Sequence, residues 1–282
     1  MAKIAGIVIL YNPDEEVVQN IQTYSSHINK LYIADNSKIP AIGNKYSDAN
    51  FEYIHDSHNH GIAKRLNQVA NLAIHEGFDF LLTMDQDSAF TDSDIEKYIS
   101  CIDKISWDNV AMAGVNFEIK NPSPNPCSFI DTVELITSGS IVNLRLYKSI
   151  GGFDENLFID EVDHDYCFSA IKSGYRIVKL ENIHIQHKLG KVSFHKSLLN
   201  LKTTPRVLHS PIRLYYMTRN HLYICNKHKG YFKNELELKR NELLNRIKNN
   251  LLYGKHKFLT LRLIMKGIID FKKKVMGNYL NN

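Results

Sequence analysis

Two carboxylates one residue apart are the first group of residues in this chain that could do chemistry. Asp85 and Asp87 follow the apolar run Phe80 to Met84 and are separated only by Gln86. At the end of a strand such a pair can hold Mg²⁺ or Mn²⁺, because these ions prefer oxygen ligands and commonly bridge to a phosphate. The alternative is a polar turn leaving a strand, since an Asp-x-Asp sequence is common.

A second acidic cluster lies at residues 160–165, where four of six residues are carboxylates: Asp160, Glu161, Asp163 and Asp165. These charges repel one another, although a helix start would help to keep them ionised. An ionised carboxylate that faces a bound sugar can act as a general base on an acceptor hydroxyl. The alternative is a solvated helix start.

Polar residues also follow other apolar runs. Tyr11 could stack on a nucleobase, and Asp35 and Asn36 could bond to a base N–H and a ribose. Each also fits a simple turn at a strand end. His187 follows a short strand predicted at 183–186, but one histidine among 13 favours a structural role.

Alternating strands and helices are expected to position these side chains. Short apolar runs predict buried strands at 3–10, 31–34, 51–54 and 78–84. Asn12 as a cap and Pro13 in the first turn predict one intervening helix, and a 3.6-residue apolar period ending at Gly77 predicts the next. This order predicts an α/β fold with a mostly parallel central sheet flanked by helices, which binds ligands at the carboxyl ends of its strands.

The rest of the chain is predicted with less regularity. Residues 91–105 and 160–173 favour helices, and residues 110–119 and 131–142 favour strands around a proline-rich loop. After about residue 211 the pattern is helical and basic, which predicts a C-terminal helical extension.

Charge is unevenly distributed along the 282 residues. The chain carries +5 overall, but residues 226–282 hold 14 Lys and Arg against 4 Asp and Glu, which leaves 21 against 26 elsewhere. Basic residues among apolar ones suggest attachment to an anionic membrane surface. The alternatives are a helical pair packed on the body or a homodimer contact. No nucleic-acid binding is expected, because the chain has no recognisable reader motif.

Composition excludes several classes of protein. With 44% hydrophobic and 23% charged residues, the chain is neither disordered nor fibrous. We find no apolar run of the roughly 18 residues that a spanning helix needs, and no signal peptide. These observations predict a cytoplasmic protein, with peripheral attachment to the inner face of the cell membrane as a further location. The cysteines Cys101, Cys127, Cys167 and Cys225 are predicted to be reduced thiols.

A series of short motifs, in order along the chain, covers roughly residues 4 to 225. Its pieces lie at 7–13, 33–37, 59–63 with Asn67, 82–88, 137–140, 151–160, 162–167, 187–190 and 215–220. Together they resemble glycosyltransferase family 2, and most closely its bacterial rhamnosyltransferase-like branch. The single pieces are weak, but the ordered series is specific.

The resemblance implies a GT-A (nucleotide-diphospho-sugar transferase) fold and an inverting, metal-dependent sugar transfer. A GT-A domain would occupy residues 1–225, with a nucleotide-sugar half at about 1–90 and an acceptor half at about 91–225. Residues 226–282 would form the basic extension. The expected partners are a nucleotide-diphosphate sugar, first of all dTDP-rhamnose, and a saccharide or lipid-linked acceptor in cell-surface polysaccharide synthesis. The expected cofactor is Mg²⁺ or Mn²⁺.

The resemblance also implies roles for particular residues. Asp163 matches the general base, with Asp160 and Asp165 as rivals, and the metal ligands would be Asp85, Asp87 and His187. The donor nucleotide would contact Tyr11, Asn12, Asp35, Asn36, Asn59, Gly61, Asn67 and Asp85. The acceptor would contact Ser138, Gly139, Glu161 and Arg219.

Two positions depart from the family pattern. Many members carry an Arg six residues after the base, where this chain has Ser169. Many members also have two adjacent acidic residues just before the helix, whereas in this chain Val162 precedes Asp163. The second departure leaves the position of the base open by a residue or two.

Three other functions compete with this one. A galactosyl-, glucosyl- or galactofuranosyltransferase using a UDP-sugar belongs to the same class. A sugar nucleotidyltransferase would need a glycine-rich phosphate loop after the first strand, where this chain has Tyr11-Asn12-Pro13. An inactive scaffold subunit is disfavoured by the joint presence of Asp85, Asp87 and Asp163.

Overall fold

A computed structural model describes residues 2–41, 50–117, 123–187, 192–196 and 203–279. The chain forms two compact units. The first comprises Met1–Glu155 and Val162–Lys188, and the second comprises Asn156–Glu161 and Leu189–Asn282.

The first unit is an α/β unit built on one large sheet. Its elements are β1 (Ile4–Leu10), α1 (Val17–Ser25), β2 (Lys30–Asp35), β3 (Phe51–His55), α2 (Ile62–His75), β4 (Phe80–Asp85), β5 (Ser88–Phe90), α3 (Asp92–Ile102), β6 (Val110–Asn116), β7 (Phe129–Asp131), β8 (Ser140–Asn143), α4 (Leu144–Ile150), α5 (Val162–Lys172) and β9 (Arg176–His187). Among the described residues nine strands form this sheet, in the order β3-β2-β1-β4-β8-β6-β9-β5, with β7 paired to β9.

The half of the sheet that carries the predicted nucleotide-side residues is parallel. Strands β3, β2, β1 and β4 run in the same direction, whereas β8 is antiparallel to β4 and β6. Apolar strand residues such as Val8, Ile33 and Leu82 are fully buried, and Ile21 of α1 and Ile95 of α3 belong to the same core. The predicted fold class, a mostly parallel sheet flanked by helices, is confirmed.

Three predicted boundaries are wrong. Asn12 does not cap a helix: its backbone is left-handed (φ 44°) and its N–H donates to Oγ of Ser37 at 2.7 Å, so α1 begins only at Val17. The strand predicted at 131–142 is divided into β7 and β8. The helix predicted from residue 160 begins at residue 162, because Asp160 and Glu161 have left-handed backbones with φ of 65° and 67°.

The prediction of four reduced cysteines is also wrong. Cys101 at the end of α3 and Cys127 before β7 form a disulfide, with Cα atoms 5.3 Å apart, while Cys167 and Cys225 are free thiols. The two bonded residues are 26 positions apart, so proximity created by the fold, and not a short spacing motif, determines this pairing.

The second unit contains a hairpin and three helices. The strands β10 (Val192–Lys196) and β11 (Thr203–Val207) are antiparallel, and α6 (Pro211–Lys227), α7 (Lys233–Tyr253) and α8 (Lys257–Lys272) follow. Leu214 and Met217 of α6 pack against Ile264 of α8. None of the helices in the described ranges is long and apolar enough to cross a lipid bilayer.

Candidate active site

The ends of three parallel strands bring the predicted nucleotide-side residues to one edge of the sheet. Asp85 of β4 is in register with the penultimate residue of β1, and Asp35 of β2 is in register with the last, Leu10. Tyr11 and Asn12 follow Leu10 directly. This is the edge at which open α/β sheets bind their ligands.

Gln86 fastens the loop after β1 to the turn after β4. Its Oε1 accepts a hydrogen bond from the backbone N–H of Tyr11 at 2.8 Å, and its Nε2 donates to the carbonyl of the same residue at 3.5 Å. The carbonyl of Gln86 in turn accepts from Nδ2 of Asn20 in α1 at 2.9 Å. The Tyr11 ring, which is 54% exposed, therefore stands on a fixed backbone and is available to stack on a planar group.

The carboxylate of Asp35 is buried and fully engaged at the end of β2. Its Oδ1 accepts from the N–H of Ser37 at 2.8 Å, and its Oδ2 accepts from Tyr53 Oη at 2.5 Å and from the N–H of Ala41 at 2.8 Å. Burial alone would raise the pKa of Asp35, but hydrogen bonds from Ser37, Tyr53 and Ala41 outweigh it and hold the pKa below its usual value. Asp35 is therefore a fixed negative charge at the site.

Arg65, which sequence inspection did not single out, lies under this edge with 1% of its surface exposed. Its Nε donates to Oδ1 of Asn36 at 2.9 Å, and its Nη2 donates to the carbonyl of Asp35 at 3.3 Å and to Oδ1 of Asp56 at 2.9 Å. Burial tends to raise the pKa of Asp56, but the His60 side chain, the His58 N–H and the Arg65 charge lower it to about 2. Arg65 thus joins the ends of β2 and β3.

Three of the predicted nucleotide-side residues mainly shape the loop before α2. The side chain of Asn36 donates to the carbonyl of Gly61 at 3.2 Å and accepts from the N–H of His60 at 3.1 Å. Oδ1 of Asn59 accepts from the N–H of Gly61 at 2.9 Å. Gly61 has a positive φ of 79°, which a residue with a Cβ rarely adopts.

Asn67, a predicted donor-binding residue, bonds to the segment that follows Gly152. Its Nδ2 donates to the carbonyl of Phe153 and to Oε1 of Glu155, both at 2.8 Å, and its Oδ1 accepts from the N–H of Phe153 and from the Tyr147 hydroxyl. Asn67 therefore supports the loop that follows Gly152, and its contact with the nucleotide stays a prediction.

Asp85 is the last residue of β4, and Asp87 lies on the turn between β4 and β5. The backbone of His187 pairs with Ser88, the residue after Asp87, while the His187 side chain lies outside the part of the chain that the structure describes. Within that part, no group of three His, Cys, Asp or Glu side chains converges on one point. Two carboxylates still fit Mg²⁺ or Mn²⁺, because substrate phosphates and water commonly complete the shell of such ions.

Asp163 lies in the first turn of α5, beside His164, whose ring lies between it and the carboxylate of Glu134. Its side chain is 18% exposed, and Nδ1 of His164 lies 3.3 Å from its Oδ1. Oδ1 also accepts from the N–H of His164 at 2.9 Å. Nε2 of His164 lies 3.6 Å from Oε2 of Glu134. Asp163 is therefore partly exposed and oriented, as a general base must be.

The rival carboxylates are in different situations. Asp165 is buried, with 1% of its surface exposed. In the second unit, Asp160 accepts two hydrogen bonds from the guanidinium of Arg213, at 2.7 and 2.6 Å. Glu161 lies 3.9 Å from Nδ1 of His221; burial lowers the pKa of that histidine, although the Glu161 charge opposes the shift. Of the three candidate bases, Asp163 has the most accessible carboxylate that is not committed to an ion pair with arginine.

The predicted acceptor-side residues do not all present their side chains. Ser138 is buried and its Oγ donates to Oγ of Ser88 at 2.7 Å. The N–H of Gly139 donates to the carbonyl of Thr83 at 2.9 Å. Arg219, in the second unit, is fully buried and donates to Tyr215 Oη at 3.1 Å and to the carbonyl of Gly277 at 2.8 Å. Arg219 therefore supports its unit from within, and its contact with the acceptor stays a prediction.

The sequence of this chain is similar to those of known glycosyl transferases. A family model described as "Glycosyl transferase family 2" matches residues 7–170. A dTDP-rhamnosyl transferase, RfbF of Shigella flexneri, is 25% identical over 250 residues, which cover 80% of this chain and 81% of the relative.

Solved structures show the same fold. TarS residues 1–349 of S. aureus, in complex with UDP-GlcNAc, aligns with a TM-score of 0.58 at 17% identity, over 97% of this chain and 81% of that one. The mannosyltransferase PcManGT of Pyrobaculum calidifontis, in complex with GDP-Man and Mn²⁺, aligns with a TM-score of 0.55 at 12% identity, over 97% and 83% of the two chains. These likenesses establish the GT-A fold of this chain.

Proposed function

The chain belongs to glycosyl transferase family 2 and is a glycosyltransferase, and from that premise we propose that it transfers rhamnose from dTDP-rhamnose to a saccharide or lipid-linked acceptor. The reaction is inverting and depends on Mg²⁺ or Mn²⁺. The likeness to a dTDP-rhamnosyl transferase over 80% of the chain carries the choice of donor. Transfer of galactose, glucose or galactofuranose from a UDP-sugar is the alternative.

Donor binding is assigned to the loop after β1 and the end of β2. The exposed Tyr11 ring would stack on the thymine base, and Gln86 keeps the Tyr11 backbone in place for this contact. Because its carboxylate is buried, the ionised Asp35 would act on a base N–H through the Tyr53 hydroxyl that it holds. Asn12 remains a candidate for a direct contact with the nucleotide.

The diphosphate is assigned to the turn between β4 and β5. Asp85 and Asp87, with His187 as a third candidate, would hold a divalent cation, which supplies charge neutralisation at the leaving diphosphate. The exposure of Asp87 and the partial exposure of Asp85 support this role, because a carboxylate must be reachable by the substrate's phosphates.

Deprotonation of the acceptor is assigned to Asp163. Inversion requires in-line attack, so the base and the departing diphosphate lie on opposite faces of the sugar. Asp163 would remove the proton from the acceptor hydroxyl as the oxygen attacks C1, and His164 would hold the carboxylate in position. Ser138, Gly139 and Glu161 remain candidates for shaping the acceptor side.

Binding measurements test the donor assignment. We would titrate the purified chain with dTDP-rhamnose, UDP-glucose and UDP-galactose by calorimetry, in the presence and absence of Mn²⁺. We expect dTDP-rhamnose to bind most tightly and only with Mn²⁺, and Asp87→Asn to weaken binding. Asp103→Asn, which removes an exposed carboxylate at the end of α3, is the matched control. Tighter binding of a UDP-sugar would select the alternative donor.

A further inference from the structure

Helix α8 is apolar on two opposite faces, and only one of them is packed within its unit. On the packed face, Leu263 and Ile264 are buried against residues of α6. Gly267 lets the two helices cross closely, since a Cβ at this position would lie 2.9 Å from the Tyr215 carbonyl oxygen. The apolar residues on this face of α8 are thus accounted for by packing in the core of the second unit.

The opposite face carries a stripe of large exposed side chains. Phe258 is 92% exposed, Leu261 and Met265 are each 51% exposed, and Ile269 is 43% exposed. At 100° per residue these four positions fall within an arc of about 80° on the helix surface. Isolated exposed apolar residues are common, but an aligned stripe led by an almost fully exposed phenylalanine indicates a surface that something covers.

Cations border this stripe. Arg262, Lys266 and Lys273 follow its members along one side of the helix, and Lys255 and Lys257 lie at its N-terminal end. Between residues 252 and 279 the sequence has seven Lys and Arg and a single acidic residue, Asp270. Asp270 is buried, and its carboxylate accepts hydrogen bonds from Lys266 at 2.6 and 2.7 Å. The exposed charge beside the stripe is therefore positive.

We propose that this face of α8 binds an anionic lipid surface, with the stripe Phe258, Leu261, Met265 and Ile269 inserted between headgroups. An apolar stripe bordered by lysine and arginine is the arrangement of a helix that lies in the plane of a membrane interface. Each cation near an anionic leaflet adds an electrostatic attraction. A second copy of the chain would fit the stripe poorly, because two faces of the same positive sign would be opposed.

Vesicle sedimentation tests this surface on the full chain. We would compare vesicles of phosphatidylcholine alone with vesicles that also contain phosphatidylglycerol. Wild-type protein is expected to sediment with the anionic vesicles only. The double variant Phe258→Asn/Met265→Asn should lower the partition coefficient about tenfold or more, given the apolar area that it removes from the bilayer.

A matched double variant controls for the loss of exposed apolar surface in general. Leu238 and Leu244 of α7 are 64% and 55% exposed, and Leu238→Asn/Leu244→Asn should leave vesicle binding unchanged. Equal loss in both double variants, unchanged binding of the α8 variant, or no binding by the wild type would overturn the proposal. So would a lipid-free dimer, seen by analytical ultracentrifugation, that Phe258→Asn/Met265→Asn dissociates. Thermal unfolding would confirm that all variants fold.

Discussion

Nδ1 of His164 lies 3.3 Å from Oδ1 of Asp163, the carboxylate that we propose as the base. The other ring nitrogen of this histidine lies 3.6 Å from Oε2 of Glu134, so a protonated imidazole would be within ion-pair distance of both carboxylates. A histidine in this position restricts the orientation of the Asp163 carboxylate. Its effect should therefore appear in the chemical step and not in donor binding.

The variant His164→Ala tests this relationship. We expect kcat to fall by up to about 100-fold, because a slightly misplaced catalytic group is costly, while the dissociation constant of the donor stays the same. His164→Gln, which keeps a polar group near Asp163, should recover part of the loss. His75→Gln changes an exposed histidine at the end of α2 and should have no effect. A proportional rise in donor Kd would instead indicate a structural defect.

Removal of the base itself should have a larger effect. We expect Asp163→Asn to lower kcat by roughly 10²- to 10⁴-fold, since the amide cannot accept the acceptor proton, with donor affinity retained. Asp160→Asn, which loses the negative charge and one of the two hydrogen bonds from Arg213, should keep most of the activity. If the large loss follows Asp160 and not Asp163, the base is Asp160. Transfer assays and donor titrations on both variants make this distinction.

The Gln86 side chain should contribute to donor affinity without touching the donor. Gln86→Ala removes both hydrogen bonds to the Tyr11 backbone, each worth about 1 kcal/mol. We expect the donor Kd to rise roughly tenfold because Tyr11 is no longer held in place. Gln22→Ala, on an exposed position of α1, serves as the control. An unchanged Kd in Gln86→Ala would show that this tether is irrelevant to binding.

Chelation should stop the reaction reversibly. With Asp85 and Asp87 as the proposed ligands, we expect transfer to cease in EDTA and to return on addition of excess Mn²⁺ or Mg²⁺. Far-ultraviolet circular dichroism should be unchanged by EDTA, because the proposed ligands lie at the partly exposed end of β4 and on the turn after it, and not in the apolar core. Full transfer activity in EDTA would exclude the metal-dependent mechanism.

The lowered pKa of Asp35 makes a prediction about stability against pH. A carboxyl group whose pKa is lower in the folded state stabilises the fold above its unfolded-state pKa of about 3.9, and this contribution is lost as the pH falls through the folded-state pKa. We expect Asp35→Asn to reduce the free energy of unfolding by about 1–3 kcal/mol near neutral pH. In urea unfolding experiments the difference from wild type should shrink in acid. A difference that is constant with pH would contradict this account.

Much of the sheet was predictable because its strands are buried on both faces. Such strands appear as continuous apolar runs, as at Ile4–Leu10 and Phe80–Asp85, and polar residues at their ends mark the ligand-binding edge. The position of Asp85 and Asp87 at a turn beside β1 follows from this pattern. The strand predicted at 131–142 was wrong because alternation alone does not reveal a break before Gly139, whose φ is 74°.

The supporting residues could not be predicted, because tertiary contacts determine their roles. Arg65 follows Lys64 on a helix, where a basic pair normally indicates a solvated face. Its burial depends on acceptors from the ends of two strands, which only the folded sheet assembles. The Cys101–Cys127 disulfide also depends on tertiary contacts, since no short spacing motif in the sequence indicates it. For Gln86, the one signal in the sequence was its position between Asp85 and Asp87.

The single guanidinium of Arg65 also has a consequence for how the nucleotide side of the site opens. One group bonds to the Asp35 carbonyl, Asn36 and Asp56, so detachment of either strand end would leave a buried guanidinium donor without its acceptor. We therefore expect local unfolding to be cooperative there, with the ends of β2 and β3 opening together. A site that opens as one unit is preorganised before the nucleotide arrives, and little conformational entropy is then lost when the nucleotide binds.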